Sequence, residues 1–114
     1  STAYFTRIDG SSPAAFSPTV VGLVRGLGFT GVITSDDLGA AKAVASVPVK
    51  QRAVRFVRAG GDLAISVDPS AASAMVAGLV EQAHADPAFA AQVRASAARV
   101  LELKQRLGVA SCDS

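Results

Sequence analysis

Gly31-Val32-Ile33-Thr34-Ser35-Asp36-Asp37-Leu38-Gly39 is the stretch on which the fold reading turns. Val32, Ile33 and Thr34 have stiff, branched side chains that favour extended backbone. Bounded by glycines, the run has the length of a parallel strand covered on both faces. Asp36 and Asp37 stand where that strand would end. In parallel α/β folds, ligands and chemistry gather at the carboxyl ends of strands. Successive strand residues point to opposite faces, so the two acids are expected to divide their work. One faces a pocket while the other caps the next segment.

Working outward, the flanks alternate strand and helix signals. Upstream, Thr2-Ala3-Tyr4-Phe5-Thr6-Arg7-Ile8 has strand composition, and Asp9-Gly10-Ser11-Ser12-Pro13 breaks it with turn residues. Ser17-Pro18 reads as an N-cap followed by proline at the first helical position. Val20, Val21, Leu23, Val24 and Leu27 give that helix an apolar stripe, and Gly28 suits its C-cap. Downstream, 38–47 is Ala-rich and only loosely periodic, a weak helix or an ordered loop stopped by Pro48. A helix over 49–59 turns Val49, Ala53, Val54, Phe56 and Val57 one way. It turns Lys50, Arg52, Arg55 and Arg58 largely the other, and Gly60-Gly61 ends it. A second buried strand over 62–67 precedes Asp68-Pro69, a cap for a helix over 71–84 through Met75, Leu79 and Val80. Asp86-Pro87 caps a last helix over 88–107, striped by Val93, Ala97, Val100, Leu101 and Leu107.

The predicted class is therefore α/β, with about three parallel strands alternating with helices and joined by right-handed crossovers. A closed (β/α)8 barrel takes about 250 residues. The pattern leaves two readings open, a small open α/β domain or less than half of a barrel.

Composition narrows the functions. The chain has 114 residues, 50% of them hydrophobic and 18% charged, a single domain or part of one. No apolar run reaches membrane-spanning length. Net charge is only +2 and aromatics are 5%. The scattered basic residues argue against a nucleic-acid face. Cys112 is alone, which excludes an intrachain disulfide and a cysteine zinc site. His84 is the one histidine, which excludes any site needing two. The start at Ser1, with neither initiator Met nor signal-peptide pattern, suggests a fragment or a processed chain.

Four segments, in order, carry a resemblance. They are Asp9-Gly10-Ser11-Ser12-Pro13-Ala14-Ala15-Phe16-Ser17-Pro18, the stretch Leu27-Gly28-Phe29-Thr30 running into Gly31–Gly39, Ala53-Val54-Arg55-Phe56-Val57-Arg58-Ala59-Gly60-Gly61-Asp62-Leu63, and Arg99-Val100-Leu101-Glu102-Leu103-Lys104-Gln105-Arg106-Leu107-Gly108. Together they resemble the last part of the catalytic barrel of family 3 glycoside hydrolases, in particular the bacterial β-N-acetylhexosaminidases. The resemblance covers nearly all of residues 1–114. It implies the C-terminal portion of a TIM barrel and a retaining enzyme that cleaves terminal β-N-acetylhexosaminides, for example in peptidoglycan fragments. It implies neither cofactor nor metal. The family includes cytoplasmic and envelope-attached enzymes.

By the resemblance, Asp36 matches the catalytic nucleophile, a carboxylate that forms a covalent glycosyl-enzyme intermediate. The Lys-His-(aromatic)-Pro-Gly loop that carries the family's acid/base His has no counterpart here. Nor do the sugar-binding Arg and Asp of the first barrel strands. The chain alone is therefore expected to be inactive. Asp37-Leu38-Gly39 follows the nucleophile position where that branch more often has Ser-Met after the Leu, which bears on sugar preference.

Each candidate also has a structural reading. Asp36 could be a strand-end turn former, Asp37 a cap or hydrogen-bond partner rather than a sugar ligand, and Asp68 a helix N-cap rather than a substrate contact at the same rim. Tyr4 could reach a sugar, or be half-buried with its hydroxyl satisfied. Asp62 opens its strand at the face where charge serves stability. His84 reads as a solvated helix residue and Met75 as core. The function alternatives are a non-catalytic α/β binding or structural module derived from such a barrel, and a small domain gathering a cation on Asp36, Asp37 and Asp68. The expected partners are a carbohydrate substrate of the parent enzyme and either the missing N-terminal barrel half or a second copy of the chain.

Overall fold

Cap-and-proline pairs start three of the four helices in the computed structural model, which describes residues 2–111. In chain order the elements are α1 (Pro18–Gly26), β1 (Thr34–Asp37), α2 (Val49–Ala59), β2 (Leu63–Ile65), α3 (Pro69–Ala85) and α4 (Pro87–Arg106). Short 3-10 turns lie at Ala14–Phe16 and Lys42–Val44. The side chains of Ser17, Asp68 and Asp86 accept first-turn amides of α1, α3 and α4, each with proline next in sequence. Helix α2 ends on Gly60 at φ 109°, a left-handed cap that glycine adopts without the Cβ penalty. Cys112 lies outside the described residues.

β1 and β2 pair in parallel, with α2 as the crossover between them. The fold is thus the expected α/β alternation, with two strands rather than three among the described residues. The stretch at 2–8 does not join the sheet. Its Phe5 makes an isolated antiparallel bridge to Asp9, and the Phe5 carbonyl accepts both the Ile8 and Asp9 amides at 2.8 Å. Strand composition shows that a segment suits a sheet, not that a neighbouring strand is there to pair with it.

Coverage also departs from expectation, because the sheet is packed on one face only. Ser35 and Leu38 are buried while Thr34 and Asp36 are exposed. On β2, Leu63 and Ile65 are 42% and 41% exposed. The covered face meets a core of Ala15, Phe16, Leu38, Val44, Val47, Ala53, Phe56 and Met75. Val54, Val57 and Phe89 form a second cluster where α2 meets α4. Helix α3 lies so close to α2 that a Cβ on Gly78 would stand 2.0 Å from the Lys50 carbonyl oxygen. No side chain fits there.

Two helical stripes are only partly used. In α1 and at its C-cap, Val21 is buried but Leu23, Val24 and Leu27 are exposed, Leu27 at 89%. In α4 the buried positions are Phe89 and Ser96, while Leu101 and the C-cap Leu107 are mostly exposed. The polar residues of α4 instead serve Asp62, whose side chain is fully buried. Its Oδ2 accepts Arg25 at 2.5 Å and the Ile33 amide at 2.9 Å. Its Oδ1 accepts Ser96 and Arg99, each at 2.9 Å. Burial pushes this carboxyl up, but the Ile33 amide, the Arg99 guanidinium and the Ser96 hydroxyl outweigh it and hold the group below its ordinary value. One carboxylate thus ties α1, α4 and the lead-in to β1 together beneath the strands.

Candidate active site at the strand exit

β1 leaves the sheet through an irregular step. Thr34 pairs with Leu63 and Asp37 with Ile65, so β1 advances three residues while β2 advances two. The extra residue makes a bulge at Ser35-Asp36. Bulges bend a strand and re-aim its side chains, and they recur beside active sites. The Ser35 hydroxyl fills the break in the ladder. It accepts the Ile65 amide at 2.9 Å and donates to the Asp36 carbonyl at 2.6 Å. The Leu38 amide, donating to the Ile65 carbonyl at 2.9 Å, closes the pairing beyond the bulge.

Asp36 is exposed on the uncovered side of this step. One of its carboxylate oxygens accepts the Asp37 amide at 2.8 Å, and the other has no hydrogen-bond partner among the described residues. A strand-end carboxylate held at one oxygen and open at the other can attack or bind an electrophilic carbon in front of the sheet.

Asp37 is half-buried and turned to the backbone. Its Oδ1 accepts the Gly39 amide at 2.9 Å and the Val67 amide at 3.4 Å, which ties the exits of the two strands together. Asp68 caps α3, accepting the Ser70 amide at 2.8 Å and the Ser70 hydroxyl at 2.7 Å. That hydroxyl, with the Ser70 amide, keeps its carboxyl below the ordinary value. Tyr4 is 49% exposed on the N-terminal turn, and no hydrogen bond joins it to Asp36, Asp37 or Asp68 among the described residues. The three aspartates do not converge as cation ligands. Among the described residues no group of three His, Cys, Asp or Glu could hold a metal ion, so the cation-site alternative is not supported. His84 is exposed on the last turn of α3.

Arg52 is where the sequence reading needs correction. It was expected on the charged side of α2, yet it is buried at 7% exposure. Its Nε donates to the Val47 carbonyl at 2.9 Å, and one Nη donates to the Leu38 and Gly39 carbonyls at 2.9 and 2.8 Å. The signal was in the spacing. Position 52 falls three after Val49 and four before Phe56, on the face that packs.

Residues 1–103 match the model of the glycosyl hydrolase family 3 N terminal domain. The chain is similar to a β-N-acetylhexosaminidase from Beutenbergia cavernae, at 45% identity and a TM-score of 0.87, over 92% of this chain and 32% of that one. It is also similar to a family 3 β-N-acetylglucosaminidase from a Paenibacillus species, at 30% identity and a TM-score of 0.75, over 91% of this chain and 20% of that one. The chain spans a third or less of the length of these solved structures. No match is found among curated proteins.

Proposed function

Because the chain belongs to glycosyl hydrolase family 3, we propose that it forms the nucleophile-bearing, C-terminal portion of the barrel of a retaining β-N-acetylhexosaminidase. Asp36 is the nucleophile. Its carboxylate attacks the anomeric carbon as the glycosidic oxygen leaves with a proton from a general acid, and water then releases the sugar from the resulting ester. The observation that carries the reading is the bulge at Ser35-Asp36, which presents one open carboxylate on the uncovered side of a strand exit. The similarity to two solved N-acetylhexosamine-cleaving enzymes supports the substrate class.

The sequence holds no second histidine or counterpart of the family's acid/base loop. The acid and the remaining sugar contacts therefore come from the rest of the barrel, and the chain by itself turns over no unactivated glycoside. The exposed apolar residues Leu63 and Ile65 on the uncovered sheet face are the surface that this remainder covers. Asp37 and Asp68 shape the rim through the backbone.

The test joins this chain to the N-terminal remainder of the Beutenbergia cavernae enzyme and follows an aryl β-N-acetylglucosaminide whose leaving group needs no acid. Asp36→Ala should abolish turnover, and added azide should restore it. Azide forms the new C–N bond as the C–O bond to the aryloxide breaks, so the product is the α-glycosyl azide. Failure of azide to rescue, with hydrolysis persisting through the substrate's own acetamido group, would overturn the nucleophile assignment.

A further inference from the structure

We infer that Arg52 is a positioning residue for the reaction proposed above, holding the strand exit so that the Asp36 carboxylate meets the anomeric carbon in line. The inference rests on the nucleophile reading and names what aims that nucleophile.

The backbone just after Asp36 is gripped from two sides. From β2, the Ile65 carbonyl accepts the Leu38 amide at 2.9 Å. From α2, a single guanidinium nitrogen of Arg52 donates to the Leu38 and Gly39 carbonyls, at 2.9 and 2.8 Å. Its Nε reaches across to Val47, on the far side of the same connection, at 2.9 Å. Arg52 therefore fixes both ends of 38–47 to the helix that crosses from β1 to β2. Leu38 is fully buried beside this clamp, and a Cβ on Gly39 would lie 2.3 Å from the Ser66 hydroxyl. The turn has little room to shift while the clamp holds.

The chemistry of the clamp points the same way. Arg52 makes no ion pair with a carboxylate among the described residues, and its charge is met by backbone carbonyls alone. A buried cation without an acid partner costs desolvation, and a planar fork of donors is the arginine feature that fits several fixed acceptors at once. Apolar side chains could fill the same space. They could not hold three carbonyls of one loop. Loss of the clamp leaves those carbonyls unpaired and lets the exit turn relax, and a displacement of about 1 Å at the reacting carboxylate costs about 100-fold in rate.

The experiment is a double-mutant comparison in the completed barrel used above, below the unfolding transition and normalised to folded protein by circular dichroism. Arg52→Met should lower kcat about 100-fold with KM within about threefold. Arg52→Lys, which keeps the charge but not the fork and serves if the Met variant does not fold, should recover less than a tenth of the lost rate. In the Asp36→Ala background, where free azide needs no aimed carboxylate, the azide-rescued rate should be the same with Arg52 as with either replacement. Full activity in Arg52→Lys, or an equal loss in the azide reaction, would overturn the positioning role. Absence of azide rescue in Asp36→Ala with Arg52 intact would instead strike the nucleophile reading beneath it.

Discussion

At the scale of single residues, Asp62 does more for the fold than the catalytic candidates do. Its carboxylate has no exposure and four partners, while the arginines it binds keep 27% and 33% of theirs. Those arginines can rehydrate, so Asp62→Asn should cost about 2–3 kcal/mol rather than the full penalty of a stranded buried charge. The sign of the pH dependence follows from the lowered folded value. Asp62 contributes its full stability above the unfolded value of about 3.8, and that contribution is lost as pH falls through the lower folded value. Denaturation between pH 5 and 2 should therefore be steeper in the wild type than in Asp62→Asn. Equal pH slopes would contradict this account. Asp9 shifts the same way, because the hydroxyls of Ser11 and Ser17 donate to it.

At the scale of elements, α2 and α3 meet with no room for a side chain at Gly78. Gly78→Ala would drive a methyl into the Lys50 carbonyl. Overpacking of this kind costs about 1–3 kcal/mol or more, against the modest gain in helix propensity that alanine brings to an ordinary glycine site. Thermal unfolding should show a clear fall in midpoint, and an unchanged or raised midpoint would mean that the helices separate freely. The bounds of α2 and the capped starts of the other helices were legible in the sequence, because caps, prolines and glycines act within one turn of chain. Which faces are buried was less legible. The stripes of α1 and α4 are written in full, yet Leu23, Leu27, Leu101 and Leu107 stay half or more exposed. Periodicity marks a face that is meant to be covered without naming its cover. Arg52 was hidden by the opposite error, since its charge outweighed its position on the packed face. The bulge at Ser35-Asp36 has no local signal, because it exists only in the pairing with Leu63 and Ile65.

At the scale of the molecule, the two-stranded sheet is open on one face and presents apolar residues there. The accessible surface is 6829 Å², against about 5,800 Å² for a typical folded monomer of 11.5 kDa. Leu63, Ile65 and Val67 along β2 and its exit are among the apolar residues left exposed. Unpaired strand edges and apolar patches of this kind favour association. The chain alone should sediment as a self-associating species and bind an environment-sensitive apolar dye. Addition of the N-terminal remainder of the Beutenbergia cavernae relative should convert it to a single complex with dye binding reduced. A monodisperse monomer that binds no dye would contradict this. No helix among the described residues is long and apolar enough to cross a membrane.

Asp62 has a further consequence, in time rather than in energy. Arg25 lies 37 residues before it and Arg99 37 residues after it. Contacts that span such separations must close long loops before they return any stability, and we predict that this junction forms after β1 and β2 pair. Its strength then appears in how slowly the native chain comes apart. Asp62→Asn should leave refolding almost unchanged and speed unfolding roughly 30- to 150-fold, the kinetic equivalent of its stability loss. A chain so altered could reach the same fold at the same pace and still lack the lifetime to keep it.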